Sequence, residues 1–129
     1  MFKLLTALAV GSVGGGFLRF YLGVKFNTLF STVAAGTLIS NLVAGYIIGL
    51  AAASFMHMPS LPQEWRLLII TGFCGGLSTF STFSLEVATL LQQGQVAMAM
   101  AEVALHVVGS VLMTFAGMGT FFLIRNLAV

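Results

Sequence analysis

Thr71-Gly-Phe-Cys-Gly-Gly-Leu-Ser-Thr-Phe-Ser-Thr-Phe-Ser84 is the stretch on which the fold turns. It lies within an apolar segment, Leu67–Leu91, that carries no charge before Glu86. The segment is long enough to cross a bilayer, which takes about 20 apolar residues. Yet Gly72, Gly75 and Gly76 weaken a helix, and the hydroxyls of Ser78, Thr79, Ser81, Thr82 and Ser84 compete for its backbone groups. Two readings fit. In one the helix breaks near mid-membrane and frees carbonyl oxygens, which survive at that depth only inside protein or around a cavity. In the other it bends slightly and the hydroxyls bond their own backbone. Freed carbonyls would be hard oxygen ligands for a small cation, and two antiparallel copies meeting here would make the site symmetric.

Three further segments reach spanning length: Leu4–Val24, Val33–Met56 and Val103–Ile124. The first resembles a signal peptide at its start, with Lys3 before an apolar run and small residues. The run continues through Phe17–Val24, so a spanning helix is expected instead. The connections are Lys25–Thr32, His57–Arg66 and Gln92–Glu102; they hold Pro59, Pro62 and most of the charges. Residues are 59% hydrophobic and 6% charged, against about a quarter charged in a soluble domain, so the surplus apolar surface must face lipid. The expected architecture is one all-α transmembrane domain over residues 1–129: four membrane-spanning helices, the third interrupted.

Orientation follows the Lys/Arg count on each side. Lys3, Arg66 and Arg125 fall on one side, and Lys25 and Arg19 on the other. So weak a bias lets a chain insert both ways round, and two opposed copies can then form an antiparallel homodimer with its axis in the membrane plane. Gly11–Gly15, Gly45–Gly49 and Gly72–Gly76 each carry the small-xxx-small spacing of closely approaching helices.

Several functions are excluded. The Gly11–Gly16 run is not followed by Lys-Ser/Thr, so it is no phosphate loop. Cys74 is the single cysteine, which rules out an internal disulfide and a cysteine zinc cluster. His57 and His106 are the only imidazoles, no Asp exists to orient either, and HExxH is absent. No basic run suggests nucleic acid. The chain does not read as an enzyme.

The polar residues inside the spans remain. Phe80 and Phe83, three apart, share a helix face; they pack, or they turn their positive ring edges toward an anion. Asn41 sits mid-span, where an unpaired amide costs about 1–3 kcal/mol; it bonds another helix, or its NH₂ group meets an ion. Glu102, His106, Ser110 and Thr114, each four apart, form one stripe. A stripe facing lipid would be costly, so it is interhelical glue or a hydrated track. Glu86 lies one turn past Phe83 and either borders that track or snorkels to the interface. Arg19, near a helix end, complements the helix dipole there.

At these residues the chain resembles the Fluc/CrcB family of fluoride channels. The resemblance rests on Gly72-Phe-Cys-Gly-Gly-Leu-Ser-Thr-Phe-Ser-Thr-Phe-Ser84 with Glu86, on Gly36-Thr-Leu-Ile-Ser-Asn41-Leu-Val-Ala-Gly45, and on the glycine-rich first span ending in Arg19. It implies an antiparallel dual-topology homodimer in a bacterial inner membrane, with two fluoride pores. Phe80 and Phe83 would line the pores by their edges, and Asn41 would donate to the ion. Ser81, Thr82 and Glu86 would form a polar track, joined by Ser110 and Thr114. Arg19 would sit at a vestibule. The carbonyls of Gly75 and Ser78 would hold one structural sodium ion at the dimer centre. The competing reading is a small proton-coupled exporter of cationic drugs, which needs an acidic residue in the first span; Leu4–Val24 has none. A non-transporting assembly subunit would leave the interrupted span and Asn41 without a purpose.

Overall fold

The computed structural model describes residues 1–29 and 34–129. Val33, where the second span was expected to begin, and Phe30–Thr32 of the first connection lie outside the described residues. Among the described residues, four helical passes are long and apolar enough to cross a membrane. The first is α1, Phe2–Phe26, and the second is α2, Ala35–Met56. The third comes in pieces: a short α3, Gln63–Arg66; a π-helical stretch, Leu67–Cys74; a single turn α4, Gly75–Leu77; and α5, Phe80–Gln92. The fourth is α6, Val96–Leu127.

Two connections are shorter than the sequence suggests. The first span runs on to Phe26, taking in Lys25. Lysine at a helix C-terminus complements the dipole, and the Lys25 ammonium lies 5.7 Å from the Tyr21 ring and 5.6 Å from that of Phe26. The last connection is only Gln93–Gln95, not Gln92–Glu102. Ala97–Ala101 alternate Ala and Met, both strong helix formers, so the helix begins well before Glu102. Gly94 closes the turn with φ 73°, the left-handed conformation that glycine adopts freely. The Gln95 N–H donates to the Leu90 carbonyl at 2.9 Å and ties off the end of α5.

Helices approach through the glycines. A Cβ on Gly11 or Gly15 would collide with the carbonyls of Leu68 and Phe73, and one on Gly76 would lie 2.5 Å from the Ser12 oxygen. Thus α1 packs tightly on the first half of the third span. At the second crossing Gly45 and Gly49 admit the backbone of Ser110 and Thr114, and Gly117 admits that of Tyr46, joining α2 to α6. α5 leans on α6 instead of α1. The third span therefore serves two neighbours, its first half on α1 and its second on α6. A straight rod does not suit both.

Gly49→Val tests the tightness of the α2–α6 crossing. The added side chain would meet Thr114 backbone, which cannot rotate away. Overpacking of this kind costs about 1–3 kcal/mol. A lowered midpoint of thermal unfolding in detergent is expected, and an unchanged midpoint would show that the crossing is loose.

Candidate functional site

The third span bends at a two-residue interruption. Ser78 (ψ 152°) and Thr79 (φ −147°, ψ 112°) are extended between α4 and α5. Thr79 then starts α5 as its N-cap: its Oγ1 accepts the Thr82 N–H at 3.3 Å and donates to the Thr82 hydroxyl at 3.1 Å. Threonine suits this position because its side chain replaces a missing helical acceptor.

Asn41 pins the break. The Thr79 N–H donates to Asn41 Oδ1 at 2.7 Å, and Asn41 Nδ2 donates back to the Thr79 carbonyl at 3.2 Å. One amide side chain thus satisfies both backbone groups of an extended residue inside the membrane, as strand pairing would. The remaining Nδ2 hydrogen points at His106 Nδ1, 3.0 Å away. Thr79 fixes which way the amide faces, so His106 Nδ1 is the acceptor and its neutral ring carries the proton on Nε2.

Other groups released by the break fall into two sets. The Gly76 carbonyl would meet Phe80 N–H in a continuous helix; here Arg19 Nε donates to it at 3.0 Å. Arg19 also lines a cavity of about 430 Å³ with Asn27, Thr37, Thr79 and Thr82. The N–H groups of Thr79 and Thr82, which a helix would aim at the Gly75 and Ser78 carbonyls, are instead taken by Asn41 and by the Thr79 hydroxyl. Gly75 and Ser78 are both exposed on the single chain. Carbonyl oxygens are hard donors, the type that a sodium ion takes.

A second cavity, about 650 Å³, opens on the other side of the break and is lined by Asn41, Gly75, Ser78, Phe80, Phe83, His106 and Ser110. Phe83 is buried, while Phe80 is 76% exposed, its ring standing on the face of the chain. The two rings meet edge to face, centroids 5.4 Å apart at 67°. Phe83 also stacks on His106, 4.5 Å away at 30°.

The stripe on α6 faces protein over its first half. Glu102 and His106 are buried, and Ser110 and Thr114 are half-buried. Ser110 lines the larger cavity; the Thr114 hydroxyl donates to the Ser110 carbonyl at 2.9 Å and packs beside Gly45. Glu86 does not snorkel. Its Oε1 accepts from the Thr37 hydroxyl at 2.9 Å, and its Oε2 is buried. Ser81 is exposed, with its hydroxyl 3.4 Å from that of Thr79. Asn41, Phe80, Phe83, Ser110, Gly75 and Ser78 therefore share one cavity, and Arg19 and Thr82 share the other.

Sequence reasoning missed Thr37 and the meeting of Glu86 with Glu102. Thr37 stands four before Asn41, so both occupy one face of α2; that spacing was the available signal. For the two carboxylates, on different helices, no local signal exists.

A multi-pass membrane protein with a pinned break, phenyl rims and hydroxyls around cavities at mid-span belongs with the small helical channels and transporters. Sequence comparison names the family. Residues 6–118 match the family described as CrcB-like protein, Camphor Resistance (CrcB), and the chain belongs to it. A protein of Nitrosomonas europaea called "Fluoride-specific ion channel FluC" is 59% identical over 120 residues, covering 93% of this chain and 94% of that one. Proteins of the same name from Pseudomonas putida and Chromobacterium violaceum are 57% and 55% identical over 126 residues, 98% of this chain in each case. The relatives are named as channels, not enzymes, in agreement with the missing catalytic set.

Proposed function

We propose that this chain is a fluoride-selective channel of a bacterial inner membrane. It lets fluoride leave the cytoplasm passively, through two pores in an antiparallel dual-topology homodimer. The observation that carries this reading is the break at Ser78–Thr79, pinned by Asn41 beside the rims of Phe80 and Phe83. Relatives 59% and 57% identical, named as fluoride channels, supply the ion.

The chemistry agrees. Fluoride is small and strongly hydrated, so a path for it must replace water with many weak donors that also release it. Ring edges are positive, the hydroxyls of Ser81, Thr82 and Ser110 can each turn a hydrogen to the ion, and that of Thr114 can do so by giving up the Ser110 carbonyl. Asn41 reaches the anion by exchanging its His106 contact for it and keeping its hold on Thr79. Glu86 borders the track, and Arg19 supplies positive potential at the vestibule. A second copy covers Phe80 and completes the larger cavity. Gly75 and Ser78 of both copies then offer four carbonyl oxygens to one sodium ion, whose positive charge favours an anion nearby. Hydrogen fluoride crosses membranes as the neutral acid and dissociates inside, so a passive exit driven by the membrane potential relieves the trapped anion.

The test is efflux from liposomes holding potassium fluoride, followed with a fluoride electrode after a potassium ionophore is added. Protein-dependent fluoride release, with chloride retained in parallel liposomes, is expected. Release of neither ion, or of both alike, would reject the selective channel.

A further inference from the structure

Glu86 on α5 and Glu102 and His106 on α6 bring one ligating atom each to within 4.8 Å of the others. Glu102 is 1% exposed and His106 4%. Glu86 Oε2, both Glu102 oxygens and His106 Nε2 are buried with no hydrogen-bond partner among the described residues. The approach of His106 Nε2 to Glu102 Oε1, 3.9 Å, is too long for a hydrogen bond. Buried polar atoms are normally partnered, and here three residues that carry unpartnered ones stand together. Thr37 holds the other oxygen of Glu86, and Oε2 is buried without a partner among the described residues.

We propose that this cluster binds a divalent transition-metal ion of the zinc type, and that the bound ion blocks the anion path. Two carboxylates and an imidazole are a donor set for such ions. Calcium and magnesium want more oxygens than three side chains give, whereas a zinc-like ion takes three protein ligands and one water. The two carboxylates also match the charge of a divalent ion. Ligand bonds of about 2.0–2.2 Å require the donors to draw together. Glu102, whose carboxylate has no hydrogen bond to a group outside the cluster among the described residues, supplies that movement.

His106 decides which ions qualify. Binding through Nε2 moves the ring proton to Nδ1 and costs the Asn41 contact. That single hydrogen bond is small beside coordination by three donors, provided the metal has real affinity for imidazole. The ion reaches the ring from the larger cavity, which His106 lines. Once bound, it disturbs the amide that pins Thr79. The block rests on the fluoride-channel reading; the binding does not.

Cadmium is the probe. Chelator-treated full-length protein in detergent, dialysed against cadmium chloride, is expected to saturate with one ion per chain. Glu102→Gln is expected to lower the affinity by about 10- to 100-fold or more, the range for disturbing a metal site. His106→Gln is the second variant, should the first fail to fold. No saturable site in the parent protein, or affinity unchanged in a folded variant, overturns the assignment. In the efflux assay cadmium should reduce release to the leak of empty liposomes, and a chelator should restore it. Cadmium bound with efflux undiminished overturns the block. Liposomes that release no fluoride before cadmium is added count against the channel reading and leave the dialysis result standing.

Discussion

Asn41→Ala is expected to abolish fluoride efflux while leaving the four spans assembled. The substitution removes three contacts: two to Thr79 and one to His106. Interhelical hydrogen bonds in membranes average about 0.6 kcal/mol and reach about 1.7, because the unfolded chain in lipid also finds partners. Their joint loss is thus roughly 2–5 kcal/mol, against a folding stability of about 5–15 kcal/mol. The fold withstands the change, but the break does not. Unpinned, Thr79 satisfies its N–H most cheaply by turning it back to the Gly75 carbonyl and continuing the helix. That movement rotates Phe80 and Phe83 away from the cavity and withdraws the freed carbonyls. Asn41→Asp separates the parts. It keeps the acceptor for Thr79 N–H but loses both donors, so its efflux should also fall, with less exposure of the Thr79 amide to hydrogen exchange than in Asn41→Ala. Efflux at the parent rate from a correctly inserted Asn41→Ala protein would show that the break needs no pin.

The spans and the break were legible because their causes are local. Hydropathy marks a lipid-facing helix residue by residue, and the Gly75-Gly76 and Ser78-Thr79 pairs weaken it at one place. The small-residue spacings carried over directly into helix crossings, since a missing side chain tells where another backbone fits. What escaped was set by tertiary contact. The π-helical turns over Leu67–Cys74 have no signature of their own; Gly72 lies there against Leu8 and Gly11 of α1. Such turns shift the register of all that follows, which is one reason they gather near functional positions. The start of α6 is hard to read from sequence because a carboxylate ordinarily marks the end of a span. Glu102 is in fact buried against its neighbours, so its charge says nothing about the water boundary. For Asn41 the sequence left an interhelical bond and an anion contact equally open. The amide makes the first of these, on a backbone that only the folded chain brings near.

Phe83→Ile is expected to cut fluoride efflux by about tenfold or more, with little loss of stability. Isoleucine keeps an apolar side chain in a nearly closed site, since Phe83 is only 6% exposed. Its aromatic pairings with His106 and Phe80 are worth about 0.5–1.5 kcal/mol each, a loss the fold can absorb. The ring edge is different in kind. Isoleucine presents weakly polar hydrogens where phenylalanine presents the positive rim of a quadrupole, and a contact of about 1.4 kcal/mol at the barrier is tenfold in rate. Stacking on His106 covers one ring face and holds the ring's tilt, so the rim is aimed and not free to swing. Phe80→Ile makes the comparison. That ring stands 76% exposed on one chain, so its aim depends on what covers it; in the proposed dimer the second copy does so, and the loss would fall on that assembly. Efflux rates per reconstituted chain, with unfolding midpoints for each variant, separate the outcomes. Equal, undiminished efflux from both would mean that the rings only pack, and the anion path would then have to run along the hydroxyls alone.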